Sequence, residues 1–472
     1  MSSRGRSWGW FAGALLLYGL SAARGPMWGD PSKLTVYALA GYLPSLGPGD
    51  HAGWTVLAWI WLRLTFWIEP TASLHLLSAV AGAAAVGLLH RLVADARREA
   101  GSADGAAAVA LVALPLWWVA GVAESYAPAL ALALAGCLLS MRRSRILVVV
   151  GGTLAGLGVA AHLFSLVVSG PWLVAQRGRR APLALGGLLG LAPVWLGALG
   201  VPADPLTGHH AGSGASWAWH LATFLRPSAM LTGAAGLAAM LVLALGPCGL
   251  VGMWRGRGAA PHPWPGLAVV ILGLYAIGLT GYAAYRLPWM VGFLVVGLLL
   301  VRPPRLGRLA CWAHVTAQAA MLVLLPWGLV RFGQGDLHLR CLPERSNAWY
   351  FLCPVKRLDT GPEVFARALL AAAPPNAVIL ADFNPGAVVT LVQQQARLRG
   401  DVLVVPTAVD DALGTADPVA TLRKRILEAR NQGRQVVLAD NWEAYYRPAE
   451  LRRRFGVELT PCGPGWLVRQ AG

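Results

Sequence analysis

Apolar runs long enough to enter a lipid bilayer alternate with short arginine clusters along the first 331 residues. No other feature restricts the fold of this chain as strongly. A spanning helix needs roughly 20 apolar residues, because each rises about 1.5 Å against a hydrocarbon core of about 30 Å. The expected spans are 8–22, 72–94, 105–121, 127–140, 146–160, 163–176, 181–200, 229–252, 264–283, 287–301 and 309–331, about eleven helices. Loops rich in arginine stay in the cytoplasm. With these spans, Arg4/Arg6, Arg97/Arg98, Arg142/Arg143/Arg145, Arg177/Arg179/Arg180, Arg255/Arg257 and Arg302/Arg305/Arg308 all fall on one side. The alternate connections carry far less positive charge. They are 24–71, 122–126, the turn at His162, 201–228 and 284–286.

Two segments need a decision. Residues 54–69 are apolar but short, with Arg63 in the middle, and counting them as a span would flip every later cluster. They are read as a tryptophan-rich helix lying in the outer interface. Residues 146–176 carry arginine clusters at both ends, so the chain must enter and return, with His162 near the outer turn. The first run, from Trp8 to Leu20, follows Arg4 and Arg6 as a signal peptide would. It lacks a clean small-x-small cleavage site before a soluble domain and is read as an uncleaved first helix.

Composition agrees. The chain is 56% hydrophobic and 13% charged, with mean hydropathy +0.55, too apolar for a soluble protein of 472 residues. The net charge of +17 is spent in the inter-span clusters, and no basic stripe with interleaved aromatics points to nucleic acid. The six cysteines show no metal-ligand spacing. Cys137, Cys248 and Cys311 lie in apolar runs. In an extracytoplasmic tail, Cys341 and Cys353 could pair, leaving Cys462 over.

An odd number of spans from a cytoplasmic N-terminus places the C-terminus outside. The expectation is a multi-pass membrane domain over 1–331, with its first outer loop at 24–71, and an extracytoplasmic α/β domain over 332–472. In the latter, Val378–Ala381, Val402–Val405 and Val436–Ala439 read as buried parallel strands. Residues 363–373, 386–397 and 417–432 read as helices. No GxGxxG or GxxxxGK[ST] supports a nucleotide site.

Polar residues gather on the outer side: Asp30, Lys33, His51, Glu124, Tyr126, His162, the pair His209–His210, His220 and Arg286. Each has a plain structural reading. Asp30 would cap a helix starting at Pro31, Glu124 would be a solvated turn residue, His162 a hydrogen-bonded structural histidine, and Arg286 would snorkel. Taken together they suggest chemistry at the membrane surface. Asp30 is the candidate general base for an acceptor hydroxyl attacking a sugar C1. Glu124 is a second catalytic carboxyl. Arg286 or a histidine would stabilise a departing lipid phosphate. Such a single displacement inverts the anomeric carbon. No cofactor is evident from the residues; a divalent ion on the acidic residues is an open alternative without an evident ligand set.

The order and spacing of these residues resemble the bacterial protein O-mannosyltransferase-like membrane proteins of the GT-C glycosyltransferase superfamily, long catalogued as a domain of unknown function. Asp30-Pro31-Ser32-Lys33 matches that family's Asp-Ser-Gly-Glu-like motif after the first helix, and His51-Ala52-Gly53-Trp54 its His-Pro-Pro-Gly-Tyr-Pro-like element. His75-Leu76-Leu77-Ser78-Ala79, Glu124-Ser125-Tyr126-Ala127 and Gly158-Val159-Ala160-Ala161-His162 match further elements. In the tail, Pro374-Pro375-Asn376-Ala377, Asp382 and Arg399-Gly400-Asp401-Val402 look like the family's soluble region. The resemblance implies an all-α polytopic GT-C domain with a small α/β domain. It also implies a polyprenyl-phosphate sugar donor (mannose among the candidates) and extracytoplasmic transfer to a protein, lipid or glycan acceptor at the plasma (inner) membrane. Lys33 stands where the family has Glu. A non-catalytic scaffold and a lipid-sugar transporter are the alternatives; a transporter would place ionisable groups near the bilayer midplane and repeat its halves.

Overall fold

Helix occupies every expected span. A computed structural model describes residues 2–44, 51–97, 100–199, 204–206, 226–255, 264–281 and 291–470. Helices α1 (Ser3–Ser21), α2 (Asp30–Ala40), α3 (Ala52–Leu64), α4 (Pro70–Arg97), α5 (Ala100–Val112), α6 (Leu114–Ala120), α7 (Tyr126–Ser140), α8 (Arg145–Ala161), α9 (Phe164–Val174), α10 (Arg180–Gly190) and α11 (Ala192–Ala198) come first. Then follow α12 (Pro227–Arg255), α13 (Trp264–Gly281), α14 (Val291–Val301) and α15 (Arg308–Arg331). By length and composition, 3 of the described helices can cross a membrane, or 5 if each of two bent pairs counts as one span. The other apolar helices are shorter.

The bends have local causes. Between α5 and α6 the axis turns by 61°. Pro115, at the start of α6, has no N–H to donate to the carbonyl of Leu111. The Tyr18 hydroxyl donates to that carbonyl instead, at 2.9 Å. Helices α8 and α10 touch backbone to backbone through Gly152/Gly156 and Gly186/Gly190. A Cβ at Gly186 would stand 2.1 Å from the Val149 carbonyl oxygen, and one at Gly190 2.1 Å from that of Thr153. Small residues four apart serve this purpose in membranes, where water does not drive helices together.

The segment 54–69 folds into a helix buried on one face, with large apolar side chains exposed on the other and just beyond its end. In α3, Trp54 and Ala58 are buried, while Trp59, Ile60, Leu64 and, just beyond, Phe66 and Trp67 are exposed. Arg63 lies 3.5 Å over the Trp59 ring, so its charge shares a face with the aromatics.

The C-terminal region carries one five-stranded sheet of order β2-β1-β3-β5-β4. Strands β1 (Val378–Leu380), β2 (Leu403–Val405) and β3 (Val436–Leu438) are parallel, with Ile379 opposite Val404 and Val437. Strands β4 (Val457–Cys462) and β5 (Gly465–Gln470) form an antiparallel hairpin that sequence reading did not anticipate. Helices α16 (Asn347–Leu352), α17 (Gly361–Ala372), α18 (Phe383–Ala396), α19 (Ala408–Leu413) and α20 (Pro418–Asn431) surround the three parallel strands in sequence. The Arg399–Asp401 element is a clamp. Arg399 donates to the carbonyls of Leu370, Ala373 and Pro374, and Asp401 accepts from the Asn376 N–H at 3.0 Å.

The pairing of Cys341 with Cys353 that an extracytoplasmic tail would allow is not made: both thiols are free. The first is exposed and points to the Leu339 carbonyl, the second is buried against that of Val355, and α16 separates them in the chain.

One apolar core joins this region to one end of the bundle. Trp28 and Trp118 pack with Phe365, Leu369 and Leu370, and the Trp28 and Phe365 ring centroids are 5.1 Å apart. Burying Phe365 alone contributes roughly 2–3 kcal/mol. The Tyr350 hydroxyl donates to the Trp28 carbonyl at 3.0 Å, and the backbone N–H groups of Lys356 and Arg357 donate to that of Ser21 at 2.7 and 3.0 Å. An apolar interface of this kind holds two layers in a fixed relation.

Candidate active site

Three connections on one side of the bundle meet beneath the C-terminal domain. The first runs from α1 to α2. Gly29 is the N-cap of α2 with φ +74°, so Asp30 is the first residue inside the helix rather than the cap itself. Its carboxylate is exposed. Lys33, one turn further on, lies between two rings, with Nζ 5.5 Å from the centroids of both Tyr37 and Phe383. Tyr37 anchors α2 through a 2.6 Å hydrogen bond to Asp204.

The second connection is the turn between α6 and α7, where Glu124 is 3% exposed. It is not a solvated turn residue. Ser78 on α4 brackets its backbone, accepting from the Glu124 N–H at 3.2 Å and donating to the Glu124 carbonyl at 3.3 Å. Burial pushes the Glu124 carboxyl well above the usual carboxylate range; the Asp30 charge pushes it further, and Lys33 pulls it back. Burial therefore favours the protonated form of Glu124, and Asp30 and Lys33 are its electrostatic neighbours. The adjacent Ser125 hydroxyl is buried without a protein partner among the described residues.

The third is the break between α8 and α9. His162 stacks on His51 with ring centroids 5.1 Å apart, and lies 4.4 Å from Tyr126 and 4.9 Å from Phe164. The His51 ring is fixed by a 2.9 Å hydrogen bond between Nδ1 and the Ala161 carbonyl. Burial lowers the His162 pKa to about 3. Burial lowers that of His51 as well, helped by His162 and Lys33. Both rings are neutral at neutral pH. They cannot supply a positive charge for a phosphate, and among the described residues of this site Lys33 can.

Asp30, Lys33, Glu124, His51, Tyr126 and His162 thus belong to one neighbourhood. His209, His210, His220 and Arg286 lie outside the described residues. Among the described residues no group of three or more His, Cys, Asp and Glu side chains is placed to hold a metal ion.

Two contributors from the C-terminal domain escaped sequence reading. A Cβ on Gly29 would stand 2.7 Å from the Asn384 side-chain oxygen, and Phe383 is one of the rings beside Lys33. Both begin α18, capped by Asp382, directly after β1. The C-terminal ends of parallel strands commonly face ligands, which is the signal that would have drawn attention to them. Asp382 is itself held by Arg340, which also bonds Asp440 at the end of β3.

The chain is a helical membrane bundle whose connections on one side are covered by a small α/β domain. Among solved structures, the chain is similar to ArnT from Cupriavidus metallidurans in the apo state (TM-score 0.52, 13% identity, covering 99% of this chain and 98% of that one). It is also similar to the same protein bound to undecaprenyl phosphate (TM-score 0.54, 14% identity, 99% and 98% covered). A third likeness is to the archaeal oligosaccharyltransferase AglB from Archaeoglobus fulgidus, in complex with an inhibitory peptide and a dolichol-phosphate (TM-score 0.51, 10% identity, 98% and 74% covered). At these identities the likeness establishes the fold. No protein-family model and no curated protein matches the sequence.

Proposed function

We propose that the chain is a membrane glycosyltransferase that moves a sugar from a polyprenyl-phosphate donor to a hydroxyl acceptor on the extracytoplasmic face of the plasma membrane. The observation that carries this reading is the pairing of an exposed carboxyl, Asp30, with a buried one, Glu124, whose burial favours the protonated form, beside Lys33. Environments that separate two carboxyls in this way assign them different tasks. Asp30 takes the proton of the acceptor hydroxyl as its oxygen bonds to the sugar C1. The bond from C1 to the phosphate oxygen breaks from the opposite face, and the polyprenyl phosphate leaves with the electron pair. One displacement gives inversion. Lys33 faces the growing phosphate charge, and Glu124 donates a hydrogen bond to substrate. The stacked His51, Tyr126 and His162 form a neutral aromatic wall.

Support for the lipid carrier comes from the fold: one structural neighbour was solved with undecaprenyl phosphate and another with a dolichol-phosphate. The arginine clusters support a cytoplasmic N-terminus and an extracytoplasmic domain over 332–472. The motif order supports an O-mannosyltransferase-like relative, with mannose the first sugar to test and a protein, lipid or glycan as acceptor. The test is transfer in isolated membranes from labelled polyprenyl-phosphate sugars, with nucleotide sugars as control. Label reaching an acceptor only from the lipid-linked donor supports the reading. Transfer from no lipid-linked donor would identify a non-catalytic relative, with Lys33 in place of the family's Glu as its mark.

A further inference from the structure

At the opposite end of the bundle, α1, α4 and α7 enclose an open groove of about 630 Å³. It is not packing slack: an internal void nearby, lined by Gly82, Val86 and Leu116, measures about 10 Å³. The groove is amphiphilic along its length. Arg4 on α1, Arg91 on α4 and Arg142 just beyond α7 gather at its mouth. Trp8 and Phe11 on α1 and Leu138 on α7 line the part leading away from them. Arg4, Trp8 and Phe11 share one face of α1 by helical spacing, and Gly87 and Arg91 share one face of α4. At Gly87 a Cβ would come within 3.1 Å of the Phe11 Cβ, so the glycine lets α1 and α4 close against each other beside the groove. Trp8 stands 62% exposed over the groove.

Among the described residues the mouth carries more positive than negative charge. Arg91 bonds Asp95 at 3.0 Å, and Arg142 reaches the same carboxylate at 3.9 Å. Arg4 is exposed. Among the described residues, three guanidinium groups line the mouth and two of them share the Asp95 carboxylate. Asp104, another described acid at this end, is engaged by Arg6, His90 and Trp10.

We propose that this groove binds one anionic glycerophospholipid, its phosphate held among Arg4, Arg91 and Arg142 and an acyl chain lying along Phe11, Gly87 and Leu138. Basic pockets between helices at the cytoplasmic surface recognise anionic headgroups in this manner, and the volume lies within the range of small-molecule sites. Assignment to the cytoplasmic leaflet rests on the topology proposed above; the binding does not.

The test is native mass spectrometry of the purified full chain in detergent, where membrane orientation has no bearing. The probes are phosphatidylglycerol and phosphatidylcholine with identical acyl chains. The wild type should take up one phosphatidylglycerol at least tenfold more tightly than phosphatidylcholine. The Arg4→Gln/Arg142→Gln double variant should lose about 25-fold, roughly fivefold for each arginine. Arg180→Gln, which removes an exposed arginine outside the groove, should bind as the wild type does. Equal uptake of the two lipids, unchanged uptake in the double variant, or an equal loss in Arg180→Gln would overturn the proposal. Should the double variant not fold, brominated lipids decide. Quenching that differs between wild type and Trp8→Phe must saturate with phosphatidylglycerol and be missing with phosphatidylcholine; equal or non-saturating quenching overturns it.

Discussion

Replacing Gly29 with alanine disturbs the proposed centre without touching a charged group. Two costs follow from the geometry. The backbone at Gly29 has φ +74° and ψ −131°, a conformation that residues with a Cβ rarely adopt, and forcing one there costs about 1–3 kcal/mol. The new Cβ would also stand 2.7 Å from the Asn384 side-chain oxygen. Relief requires Asn384 to swing away or α18 to shift, and overpacking of that sort costs about 1–3 kcal/mol. A combined penalty near 3 kcal/mol exceeds two powers of ten in population. The loop can avoid it by leaving its present path, which carries Asp30 with it. Gly29→Ala should therefore lower sugar transfer at least 30-fold in isolated membranes at matched expression, while the melting temperature falls only a few degrees. Adding Asn384→Ala removes the collision but not the backbone strain, so the double variant should recover three- to tenfold and remain well below wild type. Full activity in Gly29→Ala would refute the argument that this loop conformation positions the base. Full recovery in the double variant would refute the backbone share of it.

Two further substitutions test the buried charges. Glu124 ionises near 4.5 when unfolded and stays neutral well above that when folded. Its contribution to stability is complete below pH 4.5 and is lost as pH rises through the unfolded value toward the folded one. Glu124→Gln should melt with the wild type at pH 4 and above it at pH 7.5; a lower melting temperature at pH 7.5 would contradict the assignment. Lys356 is 1% exposed, its Nζ donates to the Tyr350 carbonyl, and burial lowers its pKa to about 8. Unfolded, it stays charged to about 10.5, so stability rises between pH 8 and 10.5 as the folded lysine sheds its proton first. Lys356→Met should melt higher than wild type at pH 7, with an advantage that shrinks by pH 10. The Tyr350 carbonyl still accepts from the Trp118 indole at 2.8 Å, so the substitution leaves no bare acceptor.

Much of this architecture was legible in the residues because bilayer and sheet chemistry write strong local signals. Apolar length and arginine clusters located the helices, and the runs around Ile379, Val404 and Val437 located the parallel strands to within a residue. The hairpin was missed because β4 is interrupted by Pro461, and its turn, Gly463-Pro464, is a short signal at the end of the chain. Asp30 and Glu124 stood out as carboxyls beside apolar runs, where an acid is costly. Their difference in burial did not, since it depends on Ser78 and on the C-terminal domain, which are distant in sequence. Asn384 escaped for the same reason: its contact with Gly29 joins residues that only the folded chain brings together. The expected disulfide failed because spacing cannot tell whether two thiols face each other.

The account stands or falls on Asp30 as the base. The direct measurement is transfer from labelled polyprenyl-phosphate sugars by native protein and by Asp30→Ala, at matched expression and with equal retention of donor by both. The account predicts that transfer falls by at least 1,000-fold in the variant while donor retention is unchanged, as expected when a group acting in the transition state is removed. Equal label in the acceptor from both proteins would remove Asp30 from the mechanism.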